Sequence, residues 1–264
     1  MTTREYSEDY DDPILAEVYD IHQTYTDDVE LILRFIGDSE SLNILECFSG
    51  TGRMLIPLAS AGHRITGIEI AGAMMERARE KLNALDPEIG ERVSLLHADI
   101  FDTDWGMGFD VVLLGANCFF ELSSASDQEE CISKAAKALR NGGYLYVDNN
   151  DWGGGVNPKN VGSEWKGLEG TCQDGTYARW TGRITDVDES EGVMHFVRTC
   201  FIRLPDGKET EVEVPGSKRP IGGDEVESWL VKHGFEILDK FGDRQETPYE
   251  KGSSDRAIFW ARRV

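Results

Sequence analysis

No stretch of this 264-residue chain approaches the roughly 18 to 20 consecutive apolar side chains of a membrane-spanning helix, so no membrane partner is expected. The opening residues, MTTREYSEDYDD, are acidic and polar, and a secretory signal is not expected either. Five cysteines (Cys47, Cys118, Cys131, Cys172 and Cys200) are odd in number and form no C-x-x-C pair. That spacing argues against a disulfide framework or a zinc site and suits reduced thiols in a cytoplasm. Basic residues are few: 27 Lys and Arg stand against 49 Asp and Glu, a formal net charge of −22, with no Lys/Arg block. Such a surface repels nucleic acid and anionic membranes, so no nucleic-acid partner is expected. Its acidity reads as a solubility device, or else as a site for a polycationic partner. The five histidines have no H-x-x-x-H or carboxylate spacing, and no metal is expected. A serine elbow and a Cys–His pattern for covalent catalysis are missing too.

What is present is a repeating strand–turn–helix pattern. After two helical segments, DPILAEVYDIHQTY and TDDVELILRFIG, come a short β run LNILECF and a helix TGRMLIPLASAG closed by Gly62. HRITGIEI, ERVSLLHADI, FDVVLLGANCFF and YLYVDNN read as further strands, with GAMMERAREKLNAL and SDQEECISKAAKALRNGG as helices, the second stopped by a double glycine. Nearly continuous apolar strands between helices argue for a parallel sheet covered on both faces. From Asp151 onward the pattern changes to a glycine-rich loop and then to period-two runs around the turn LPDGK, an antiparallel meander. GGDEVESWLVKHG, FEILDKFGD and DRAIFWARRV return to helix, strand and strand. The expected fold is α/β: a doubly wound, mostly parallel seven-stranded sheet in one domain, 1–264, with an inserted antiparallel β meander over about 152–217.

In such sheets ligands sit at the carboxyl ends of the strands, and the polar residues gather there. Glu46 ends the first strand and is followed by the turn Ser49-Gly50-Thr51-Gly52, whose glycines permit close backbone approach. Glu69 ends the second strand, 17 residues beyond Gly52, where a carboxylate can accept ribose hydroxyls. Asp99 ends the third, placed to accept a hydrogen bond from an adenine amino group. An acid beside a glycine turn works against phosphate, which the turn alone would attract. The dinucleotide fingerprint is also incomplete, with Leu55 in place of its last glycine or alanine. A cationic nucleoside without phosphate suits these residues better than a nicotinamide dinucleotide.

The chain resembles the class I S-adenosylmethionine-dependent methyltransferases. ILECFSGTG is similar to the family's first motif, ITGIEI to its ribose-binding strand, HADIF to its adenine-contacting segment and FDVVLLGANCFF to its fourth. The likeness runs from about Tyr19 to Asp148, and the closing strands resemble the family's final hairpin. It implies S-adenosyl-L-methionine as cofactor, held by Glu46, Gly50, Gly52, Glu69, Ile70, Asp99 and Gly115. By the same resemblance Tyr19 lies on a helical lid over the cofactor, and Met74 and Ile100 clamp the adenine. Arg53 either binds the methionyl carboxylate or pairs with a local acid such as Glu46. Asn117 and Phe119 fall where donor and acceptor meet. Phe48 departs from the family pattern, which has a glycine there; it is either core or an aromatic flank to the sulfonium.

The implied activity is methyl transfer to a small-molecule acceptor, with nitrogen favoured because scattered words resemble the glycine and sarcosine N-methyltransferase branch. An amine acceptor must arrive unprotonated, and Glu121, Asp148 and Asp151 are candidate proton acceptors, none of them singled out by the sequence. A non-catalytic binder of the same cofactor and a nicotinamide oxidoreductase are the competing readings. A homo-oligomer is compatible with all of this.

Overall fold

The computed structural model describes residues 8–153 and 155–264. Helix α1 (Pro13–His22) starts where the Asp12 carboxylate accepts bonds from the Ile14 and Leu15 amides at 2.8 and 3.1 Å. These are donors a helix start leaves unpaired, and Pro13 has none to lose. Helix α2 (Asp27–Ile36) places Asp27, Asp28 and Glu30 in its first turn, the end where the helix dipole favours acids. The alternating layer follows: β1 (Asn43–Cys47), α3 (Leu55–Ser60), β2 (Arg64–Glu69), α4 (Gly72–Asn83), the short α5 (Pro87–Gly90), β3 (Val93–His97), β4 (Phe109–Leu114), α6 (Ala125–Ala138) and β5 (Leu139–Asn150). Four strands then form a second sheet: β6 (Glu164–Thr171), β7 (Tyr177–Asp188), β8 (Val193–Arg203) and β9 (Glu209–Lys218). The chain closes with α7 (Gly223–Lys232), β10 (Phe235–Phe241) and β11 (Arg256–Arg263).

The main sheet has seven strands in the order β10-β11-β5-β4-β1-β2-β3. Pairings among β1 to β5 are parallel, and β11 runs antiparallel to both its neighbours. Side chains alternate between two apolar layers, as period two requires. Val111, Leu113, Tyr146 and Trp260 pack on one face, while Val112, Leu114, Leu145 and Phe259 pack on the other. From β1 the chain winds outward to β3 and then crosses back to β4 on β1's other side. The crevice at that reversal is where doubly wound sheets bind ligands.

Three local expectations change. Helix α6 stops at Ala138, because Leu139 is already extended (ψ 143°), and the double glycine lies inside β5. There the pairing with β4 slips between Phe109 and Val111, and a Cβ on Gly143 would lie 3.0 Å from the Arg140 carbonyl oxygen and 3.1 Å from that of Asp110. Helix α5 and strand β6 were not expected; both are short or half-exposed and lack a periodic apolar pattern. The inserted sheet runs through Lys218, one residue past the expected limit.

The inserted sheet, in the order β6-β7-β8-β9, relies on glycine where large rings lie flat across it. A Cβ on Gly182 of β7 would sit 2.0 Å from the Trp165 ring of β6. Gly182→Ala is expected to displace Trp165 and cost about 1 to 3 kcal/mol by overpacking. Thermal melting followed by near-ultraviolet circular dichroism checks this; an unchanged melt with an unchanged tryptophan signal would contradict it.

Candidate active site

After β1 the backbone turns through three left-handed residues, Phe48 (φ +60°), Gly50 (φ +53°) and Gly52 (φ +78°). The Phe48 conformation is the one that glycine adopts without penalty, which accounts for the family's glycine at this point. Glu69 secures the turn from β2: its Oε2 accepts from the Gly50 amide at 2.8 Å and its Oε1 from the Ala71 amide at 2.8 Å. Burial pushes the Glu69 carboxyl up from its usual range, while these amide bonds oppose the rise. The Thr51 hydroxyl donates to Asp20 at 2.5 Å, and Arg77 and Lys81 reach the same carboxylate at 3.2 and 2.9 Å. Helix α1 is thereby fastened to the turn and to α4.

A cavity of about 360 Å³ opens over this turn and continues across the ends of β4 and β5. Tyr19, Phe48, Gly50, Glu69, Ile70, Met74, Asp99 and Ile100 line its first half. Gly115, Asn117, Phe120, Glu121, Asn150 and Lys218 line the second. Ten of the fourteen residues that the resemblance singled out thus line this cavity.

Residues 45–145 match the methyltransferase domain family. The chain carries a methyltransferase domain. It is 23% identical, over the whole of both chains, to a Geobacillus sp. (strain WCH70) protein that bears the name of a methyltransferase. Among solved structures, an S-adenosylmethionine-dependent methyltransferase from Clostridium acetobutylicum ATCC 824 superposes with a TM-score of 0.74 at 15% identity, covering 94% of this chain and 97% of that one. The sugar N-methyltransferase KedS8 from Streptoalloteichus sp ATCC 53650 gives 0.67 at 18%, covering 91% and 87%. The fold of this methyltransferase is that of the S-adenosylmethionine-dependent enzymes.

Glu46, Gly52 and Arg53 stand apart from the cavity wall. Glu46 shares the parity of Ile44 and is 4% exposed, with Oε2 lacking any hydrogen-bond partner. Burial above all pushes its carboxyl up to about 8, against the pull of Arg53. Burial therefore favours the neutral form of the carboxyl expected beside the turn. Arg53 pairs with Asp28 through two bonds of 2.6 and 2.8 Å and donates to the Tyr25 carbonyl at 3.0 Å. Its partner is Asp28 and not Glu46, and its guanidinium is committed to α2. A Cβ on Gly52 would meet Ile56 at 3.2 Å and Ala78 at 3.4 Å, so this glycine serves helix packing. Gly50, with nothing within 4 Å of a built Cβ, is the residue that leaves the cavity open.

At the β4 and β5 ends, Phe119 is fully buried in the core and its neighbour Phe120 faces the cavity. Asn117, left-handed at φ +65°, accepts on Oδ1 from the Asn150 amide at 2.8 Å and from Arg256 at 3.0 Å. Its side chain joins strand ends. Asp148, with no exposed surface, is held by Arg244 at 3.0 Å and Arg256 at 2.6 Å. Asp151 accepts from the Tyr249 hydroxyl at 2.6 Å and the Gly223 amide at 3.2 Å. Neither aspartate lines the cavity, which leaves Glu121, paired with Lys218 at 2.5 Å. Lys218 was missed in the sequence, although the parity of Val214, Gly216 and Lys218 along β9 puts all three on one face.

The Glu46 environment sets a pH dependence. Its folded-state value near 8 lies above the ordinary 4.5, so its protonated form contributes stability that is fully present below about pH 4.5. That contribution is lost as pH rises through 8, with a slope of at most about 1.4 kcal/mol per pH unit. Glu46→Gln lacks the titration. Its stability relative to the parent should therefore grow from pH 5 to pH 8 in denaturant melts, and a constant difference would contradict the assignment.

Proposed function

We propose that this methyltransferase moves the methyl group of S-adenosyl-L-methionine to a nitrogen of a small-molecule acceptor. The observation that carries the reading is the single cavity that joins the Glu69 half to the Glu121 half. Its described lining holds three carboxylates (Glu69, Asp99 and Glu121) against one ammonium, Lys218, a balance that favours a cationic ligand. Each Glu69 oxygen spends one of its acceptor sites on an amide and keeps another for a ribose hydroxyl. Asp99 is placed for the adenine edge, Met74 and Ile100 for its faces, and Tyr19 covers the site from α1. When bound, the cofactor supplies an electrophilic methyl on a sulfonium. The protein's part is alignment and exclusion of water, which can supply effective molarities of about 10⁵ M or more.

The inserted sheet over about 152–217 forms the acceptor side of this reading, because the core strands already account for the cofactor. KedS8 is a sugar N-methyltransferase, which agrees with an amine acceptor here. The glycine and sarcosine likeness contributes the same chemistry, a small amine. A cytoplasmic setting fits five cysteines that are all buried, and no helix among the described residues is long and apolar enough to cross a membrane.

A screen with labelled donor against glycine, sarcosine, amino sugars and hydroxyl compounds tests the reading, with transfer to an amine expected. Alongside it, Glu69→Ala should weaken cofactor binding by about 1.5 to 3 kcal/mol in calorimetry, the range for hydrogen bonds to a charged group. Unaltered affinity would remove the ribose assignment.

A further inference from the structure

We infer that the Glu121–Lys218 ion pair is the acceptor-recognition device, in which Lys218 holds the place on Glu121 where the acceptor's ammonium docks and leaves its proton before transfer. The inference rests on the amine reading above. Glu121 closes the short turn Cys118–Glu121 that follows β4, and Lys218 ends β9 of the inserted sheet. The pair therefore bridges the core to the insertion inside the cavity. Its Nζ–Oε1 distance is 2.5 Å, with side-chain exposure of 10% for Lys218 and 32% for Glu121.

Charge balance decides what can enter. The other two charged groups on the described wall, Glu69 and Asp99, are acids that accept backbone amides. An anionic acceptor drawn to Lys218 would leave Glu121 as an uncompensated carboxylate in a partly dry site, which is costly. An incoming ammonium takes the lysine's place on Glu121 and adds one positive charge to a lining whose acids outnumber its lysine. The displaced Nζ is also not left bare. It already lies 4.7 Å from the Phe120 ring centre and 5.6 Å from that of Phe196, two faces that attract a cation. Phe120 in turn stacks on Trp152 at 5.4 Å, so the resting place is rigid.

The sign of one substitution separates recognition from scaffolding. Lys218→Met removes the competitor. Its acceptor KM for glycine, sarcosine or an amino sugar should fall by about tenfold, the scale of one charge-assisted bond. Without the donor, its thermal melt should start lower than the parent's and rise further when the same amine is added. Glu121→Gln should raise that KM by about tenfold or more while cofactor affinity in calorimetry stays unchanged. If Lys218→Met does not fold, Lys218→Arg decides: a tighter forked pair should raise KM, and an unchanged KM would overturn the proposal. A raised KM in Lys218→Met, or an unchanged one in Glu121→Gln, also overturns it while amine transfer by the parent stands. Parent enzyme that methylates hydroxyl probes and no amine removes the amine reading itself, and this proposal with it.

Discussion

Asp148 sits at the end of β5 with no exposed surface, held by two arginines, and the architecture of the site depends on that arrangement. Arg244 reaches it at 3.0 Å and Arg256 at 2.6 Å, and the Tyr146 hydroxyl donates to it at 3.1 Å. Arg244 also meets Asp27 at 2.9 Å and lies 3.6 Å from Asp28, which Arg53 grips from the glycine turn. The Tyr25 ring lies under both cations, 3.9 Å from the Arg53 guanidinium carbon and 4.6 Å from that of Arg244. A buried network of this kind adds little net stability compared with apolar packing, but removing one member strands the rest. Its value is geometric. It fixes α2, the turn after β1, the end of β5 and the C-terminal strands against one another.

That geometry lets the chain keep strained backbone at the cavity. Phe48, Ala116 and Asn117 are all left-handed without being glycine, and all three line the cavity. Each such residue costs about 1 to 3 kcal/mol and persists only where its surroundings over-determine it. For Asn117 the determinants are explicit: its amide donates to the Asp148 carbonyl at 3.0 Å, and Arg256 and the Asn150 amide hold its side chain. The network thus stands behind the cavity wall that Ala116 and Asn117 form, and Glu121 and Lys218 line the same cavity.

Much of this was legible in the sequence. The nearly continuous apolar strands, the helices between them and the strand-end acids located the sheet, the crevice and Glu69, because apolar runs and backbone connectivity are local signals. The partners of Arg53, Asp148 and Asn117 were hidden for a common reason: each lies on an element more than twenty residues away. Asp28, Arg244 and Arg256 could not be assigned to them from spacing. Glu46 was misread because its ionisation depends on burial, which a strand-end position does not reveal. Phe48, read as core or as an aromatic flank, packs partly buried against the core and also lines the cavity, and its left-handed backbone was not foreseen.

Asp148 is a structural anion whose pairing with Arg244 and Arg256 holds the Ala116–Cys118 side of the cavity in shape. Asp148→Asn keeps its size and removes its charge. Equilibrium denaturation should show a loss of about 3 to 5 kcal/mol, as for other buried pairs deprived of one partner. Amide hydrogen exchange at Ala116 to Cys118 should quicken in the folded protein. Unchanged stability with unchanged protection at those amides would contradict the claim.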